Sequence, residues 1–445
     1  MQKDDPKVIR AWTFYDWANS VYPLVITSAI FPSYYDAVTS TKDGNVHAFG
    51  ANFPNEDIYS YVYAFALFLV VLSAPILSGM ADYMGNKKRF LQFFCWLGAS
   101  SCMCLYFFSY DANHPSYLEL SFIPFITATI GFWGSLVFYN SYLPEIATAE
   151  NQDKVSAQGF ARGYFGSSLL LIICLVCIIV LKMPAKYSFL MVGIWWIGFA
   201  QYTFSVLPNI SHVARGENKG LLTKGFKELF LVFKDVLTRK TLRRFLASYF
   251  FYNMGVQTIM VMAVLFARKE IEWGKGIFGS NSNVLPVAEV EAIKTNSLII
   301  SILLIQFLGI AGAYIFSWLS RKIGNIKALG TSIFIWIFVC VFTYAIAHYP
   351  IHFYIVAASV GLVMGGVQSL SRSTYSKYLP ETEDNASYFS FYDVMEKLGM
   401  IIGTVSFAFI GQVKGGMRTS VLALIVFFVI GFLLLLRVPK SDKVQ

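Results

Sequence analysis

The feature that most limits what this chain can become is a series of twelve apolar runs, each close to the length of a bilayer crossing. A helix needs about 20 mostly apolar residues for that. The runs lie at 14–37, 58–80, 90–110, 119–141, 158–181, 186–207, 244–267, 294–317, 327–347, 351–374, 388–412 and 418–437. Only 14% of the 445 residues are charged and 56% are hydrophobic, against about 25% charged in soluble proteins. So few charges cannot coat a globule of this size, and lipid is the expected solvent. The opening stretch, MQKDDPKVIRAWTFYDW, shows no small-residue cleavage site after its first apolar run, so the first span is expected to remain. The expected fold class is all-α integral membrane, with twelve transmembrane helices.

The formal charge of +9 would suggest nucleic acid in a soluble chain, but its placement argues otherwise. With the N-terminus inside, 26 of the 35 Lys and Arg fall on the inner side, including Lys87, Lys88, Arg89, Arg215, Lys219, Lys440 and Lys443. The positive-inside rule then places both termini in the cytoplasm and removes nucleic acid as a partner. The sequons Asn209-Ile-Ser and Asn385-Ala-Ser fall on that same side and should be unused. The long inner connection carries KGFKELFLVFKDVL, basic and apolar residues at helical spacing. It reads either as an amphipathic helix on the anionic inner leaflet or as a solvated linker. All six cysteines lie inside apolar runs and read as small core residues.

The chain also repeats itself. FYD at 14–16 returns as FYN at 251–253, YLPE at 142–145 as YLPE at 378–381, and GNKK at 85–88 as GNIK at 324–327. Three matches at nearly one offset define two parallel six-helix repeats, 1–207 and 244–445, joined by a basic linker at 208–243. Parallel repeats suit two bundles that rock about a site between them.

SGMADYMGNKKRF, with Gly79, Asp82, Gly85, Lys87 and Lys88, resembles the signature loop of the major facilitator superfamily; its second copy, SWLSRKIGNIK, has Ser320 where the aspartate would stand. RAWTFYDWANSVYPLVITSAIFPSYY and YLPEIATAENQDKVSAQGFARGYFG are similar to motifs of the vacuolar amino-acid effluxer family linked to autophagy in fungi, which has many bacterial relatives. The resemblance implies a major facilitator fold and secondary transport of a small polar solute by alternating access, with amino acids as cargo and export as direction. It also implies a monomer in a bacterial cytoplasmic (inner) membrane. An exporter of a larger amphiphile and a non-transporting sensor or scaffold remain as rivals. No nucleotide-binding loop, catalytic constellation or metal cluster is visible, so neither an enzyme nor a cofactor is expected; proton coupling stays open.

Polar groups inside membrane helices usually face a cavity or a partner. By resemblance, spans one, four, seven and ten line the cavity, which makes Asn19, Ser20, Asn140, Asn253, Gln257, Gln368 and Arg372 candidates, with Gln306 in span eight beside them. For each the bland reading is a satisfied interhelical hydrogen bond. A second group is expected at the inner rim as gate or coupling residues: Asp16, Asp82, Arg162, Glu145, Glu381, Asp393, Glu396 and Lys397. Asp16 is read as one turn into its span, within an aromatic belt of Trp12, Tyr15 and Trp17. Its counterpart in the second repeat is Asn253, which keeps the shape and loses the charge. A structural or gating role, proton coupling and direct substrate contact are all open for it. The spacings Gly159/Gly163, Gly361/Gly365 and Gly399/Gly403 predict close helix approach.

Overall fold

The computed structural model describes residues 2–40, 44–111, 114, 116–209, 221–279, 285–382, 384–414 and 416–439. The first span is not one regular helix. Helix α1 (Pro6–Asn19) opens with Asp5, whose carboxylate accepts the Lys7 amide at 2.8 Å, and with Pro6 in the first turn, where a missing amide costs nothing. It runs into a π-helical stretch, Tyr22–Ile30, and then into α2 (Phe31–Thr39). Pro23 and Pro32 each remove an amide from the ladder. The hydroxyls of Thr27 and Ser28 both donate to the Pro23 carbonyl, at 2.7 and 2.8 Å. The span therefore begins eight residues before position 14, where apolarity alone would start it.

A hairpin follows, β1 (Asn45–Ala48) paired antiparallel with β2 (Ala51–Pro54). Phe49 and Gly50 both hold positive φ, 51° and 76°, as the two-residue turn requires. The rest is helical: α3 (Asn55–Met84), α4 (Lys87–Cys104), α5 (Ser116–Ser141), the single turn α6 (Leu143–Ile146), α7 (Gln152–Ile179), α8 (Tyr187–Val206), α9 (Leu221–Thr238), α10 (Lys240–Glu270), α11 (Val287–Ile323), α12 (Asn325–Ala345), α13 (Pro350–Tyr378), α14 (Asn385–Lys414) and α15 (Met417–Leu436). Among the described residues eleven helices are long and apolar enough to cross a membrane. With the three-part first span, each of the twelve expected crossings has a helical counterpart.

The chain forms two compact units, and neither is one continuous stretch. The N-unit holds Met1–Thr148, Arg162–Val232 and Thr382–Phe391; the C-unit holds Ala149–Ala161, Phe233–Glu381 and Tyr392–Gln445. Helices α7 and α14 thus each leave their first turns in the other unit. Inside the N-unit α1 packs on α8, α4 on α5 and α8, and α3 on α5; inside the C-unit α10 packs on α15, α12 on α13 and α15, and α11 on α13. The pairing is the same in both, which is the internal repeat expressed as packing.

Small residues permit these contacts. A Cβ on Gly163 would meet the Ser20 hydroxyl and the Asp16 carbonyl, and one on Gly365 would meet the Gly309 carbonyl and the Ala313 amide. In α9 the exposed Phe226, Phe230, Phe233 and Leu237 recur at helical spacing. Residues 210–220 of the linker, with Arg215, Lys219 and the Ile210-Ser211 half of the first sequon, lie outside the described residues, as do Lys440 and Lys443.

Candidate functional site

In the N-unit, Asp16 is the eleventh residue of α1, and Trp12 and Tyr15 beside it are fully buried. At 1.5 Å per residue this places Asp16 about 15 Å along the helix. Trp12 and Tyr15 belong to the core of the N-unit rather than to an exposed aromatic belt. Trp12 stacks on Tyr139 of α5 at 4.4 Å and donates its indole N–H to the Tyr139 carbonyl at 2.8 Å. The Tyr139 hydroxyl donates to Asp16 Oδ2 at 2.7 Å. Asn19 is buried one turn further on, and its Nδ2 has no hydrogen-bond partner. Ser20 closes α1 against Gly163. Arg162 of α7 donates to the Arg10 carbonyl at 2.9 Å and to the Thr13 hydroxyl at 2.5 Å.

The turn between α3 and α4 forms a second cluster of the N-unit. Gly85 holds φ 63°, which ends α3 in the left-handed region and turns the chain sharply into α4. Asp82, in the last turn of α3, accepts the backbone amides of Ser387 at 2.7 Å and Ala386 at 3.3 Å. These are orphan amides of the first turn of α14, and a carboxylate suits both their hydrogen-bonding need and the positive end of the helix dipole. Glu145 pairs with Lys87 and accepts from Asn385 Nδ2 at 2.8 Å. Both acids hold the start of α14, as a latch would.

The C-unit carries a related cluster that the sequence reading did not single out. Asp153, 2% exposed in the first turn of α7, accepts from Ser320 at 3.0 Å, Asn325 at 2.8 Å and Lys377 at 2.6 Å. Ser320 stands where the second signature loop lacks its aspartate. The acid has moved from the loop to the helix that the loop holds.

Deeper in the C-unit, α10, α13 and α14 enclose a charged group. Lys397 is completely buried and pairs with Asp393 one turn before it; Glu396 Oε2 lies 3.5 Å from the same ammonium. Gln257 of α10 donates to Glu396 Oε1 at 2.7 Å, and Asn253 stands one turn earlier with its Nδ2 buried and unpartnered. Asp393 and Lys397 are the ninth and thirteenth residues of a 30-residue helix. They sit about 12 and 18 Å from its start. Arg372, also buried, donates to the carbonyl and hydroxyl of Ser156 at 2.9 Å and lies over the Phe160 ring.

The remaining candidates fall outside these groups. Gln306 is buried on α11 with Oε1 unpartnered; Asn140 and Gln368 are half-buried and bonded; Glu381 is exposed. Among the described residues no three His, Cys, Asp or Glu side chains converge as metal ligands. Tyr139, Asp153, Ser156 and Lys377 were not among the candidates, and Ser320 stood only as the place of a missing aspartate, because their roles depend on partners 120 to 225 positions away. The repeat offers one retrospective signal: the missing acid in the second loop asks for a replacement.

Comparison with known proteins completes the site. Residues 4–445 match the family model described as "Vacuole effluxer Atg22 like". An uncharacterized major-facilitator-type transporter, YxiO of Bacillus subtilis, is 30% identical over all of this chain and 97% of its own length. Autophagy-related protein 22-1 of Penicillium rubens is 24% identical over 65% of this chain, which spans half of that longer protein. The human organic anion transporter MFSD10 superposes with a TM-score of 0.70 at 10% identity, covering 98% of this chain and all of its own. The outward conformation of the transporter FucP gives 0.64 at 13% identity over 98% and 99%. Two repeated six-helix packings, a signature loop that caps a distant helix, and a family match along almost the whole sequence lead to one assignment: the chain belongs to the Atg22-like vacuole effluxer family of major facilitator transporters.

Proposed function

We propose that this transporter exports small zwitterionic solutes, amino acids foremost, across a bacterial cytoplasmic membrane by alternating access. The observation that carries the reading is the family match over residues 4–445, in a family described by efflux. The polar groups favour a small solute. Asn19 in the N-unit and Asn253 in the C-unit keep amide donors unspent inside membrane helices, and such donors suit a carboxylate or carbonyl. The Asp82 and Asp153 clusters serve as latches on the starts of α14 and α7. Their hydrogen bonds, a few kcal/mol together, match the free-energy gap between two conformers. Both termini face the cytoplasm, and the exposed aromatic stripe of α9 rests on the inner leaflet between basic residues.

The test is counterflow in proteoliposomes preloaded with a mixture of the twenty unlabelled amino acids, each labelled amino acid being offered outside in turn. Accelerated entry of a subset relative to protein-free vesicles is the expected result. Acceleration of none of them, together with efflux of a fluorescent amphiphile, would replace this reading by that of an amphiphile exporter.

A further inference from the structure

Two carboxylates and one ammonium are hydrogen-bonded or nearly so in the middle of α14: Lys397 Nζ bonds Asp393 Oδ1 and lies 3.5 Å from Glu396 Oε2. The three side chains are 5%, 17% and 0% exposed for Asp393, Glu396 and Lys397. One lysine compensates one acid. The second acid is held by a neutral amide, Gln257, at 2.7 Å, while Asp393 Oδ2 is buried without a partner. Two carboxylates that share one ammonium leave a net negative charge inside a membrane helix; that charge is costly, and a proton removes the cost directly.

We propose that Asp393 and Glu396, with Lys397 bound to them and Gln257 beside them, form the proton site that couples transport to the pH gradient. One proton from water adds to a carboxylate oxygen and makes it a hydroxyl, while Lys397 stays paired with the other acid. Loss of that proton to water restores the pair of carboxylates. The site selects a proton over a metal ion for two reasons. An ammonium within 3.5 Å of both acids repels any metal cation. The cluster also offers two acidic side chains, and among the described residues no third His, Cys, Asp or Glu converges on them.

The groups facing the cluster are consistent with this. From α10 come Tyr249, Tyr252, Asn253 and Gln257; from α13 come Arg372 and Tyr375; from α14 itself comes Tyr392. Tyr249 stacks on Tyr392 at 4.2 Å. Arg372 donates to the hydroxyl and the carbonyl of Ser156. Gln257 links the cluster to Asn253, whose free amide is offered to the solute in the proposed function. Gln257, which donates to Glu396, and Asn253 thus stand on adjacent turns of α10.

This inference rests on the transport reading, and two independent measurements separate their failures. The first is an infrared pH titration of the purified wild-type protein, Glu396→Gln and Asp393→Asn in liposomes, following the C=O stretch of protonated carboxyl groups. A titrating band that one of the two variants abolishes supports the site; a band pattern unchanged in both variants overturns it, with no solute needed. The second compares accumulation of labelled amino acids under an imposed pH gradient with their counterflow without one. The ratio of accumulation to counterflow is expected to fall about tenfold in whichever variant removes the band. An unchanged ratio overturns the coupling role. Absence of wild-type counterflow defeats the transport reading instead, and the infrared result then decides the proton site alone. If one variant does not fold, the other carries both measurements.

Discussion

Asp153 collects three donors, and one of them, Lys377, is left with no acidic partner among the described residues if the acid is removed. Asp153→Ala should lower stability by about 2 kcal/mol, less than for a fully buried pair because Lys377 keeps some contact with water. Thermal unfolding in detergent measures this. Ser320→Asp, which returns an acid to the loop, should also destabilise, since two carboxylates would then share one site. The exchange Ser320→Asp with Asp153→Ser should recover much of the loss. Glu381→Gln is the control and should change nothing, because Glu381 is exposed and joins no cluster. Asp82 was legible in advance, since a signature loop names its acid. Asp153 was not: nothing in QDKVSAQG distinguishes an acid that caps its own helix from one that accepts from three distant side chains.

At the scale of the helix, close approach and irregular backbone set the design. Gly163 sits against Ser20 and the Asp16 carbonyl, whereas Gly365 sits against backbone alone. Gly163→Ala should therefore cost about 1–3 kcal/mol, and Ser20→Ala should relieve part of it by removing the hydroxyl that the new methyl meets. Gly365→Ala should cost as much and respond to no single side-chain replacement, because the carbonyl of Gly309 cannot be trimmed away. Unfolding midpoints of the four variants measure the difference. The glycine spacings had pointed to such contacts. The π-helical stretch at Tyr22–Ile30 had not been foreseen, although Pro23 stood in the sequence. A proline shows where the ladder must break, but whether the helix bends, stops or widens depends on how Thr27, Ser28 and the packing of Tyr22 on Thr129 restore the lost bonds.

At the scale of the whole molecule, the proposed topology has a direct test. In a cysteine-free background, a cysteine at Phe49, in the exposed hairpin turn, should react with a membrane-impermeant thiol reagent applied to intact cells. A cysteine at Gln2 should react only after the membrane is opened. The reverse pattern would invert the orientation. By itself the sequence determined the solvent, the number of crossings, the repeat and the family, because each is written in local composition or in the spacing of like segments. Tertiary structure alone decided that Asp16 accepts from Tyr139, that Trp12 and Tyr15 are core, that Glu381 is exposed, and that Asp393, Glu396 and Lys397 share a buried site with Gln257. The physical reason is common to all four. The cost of a charge, and the partner that offsets it, depend on depth and on neighbours brought from elsewhere in the chain, and neither is a property of the segment that carries the charge.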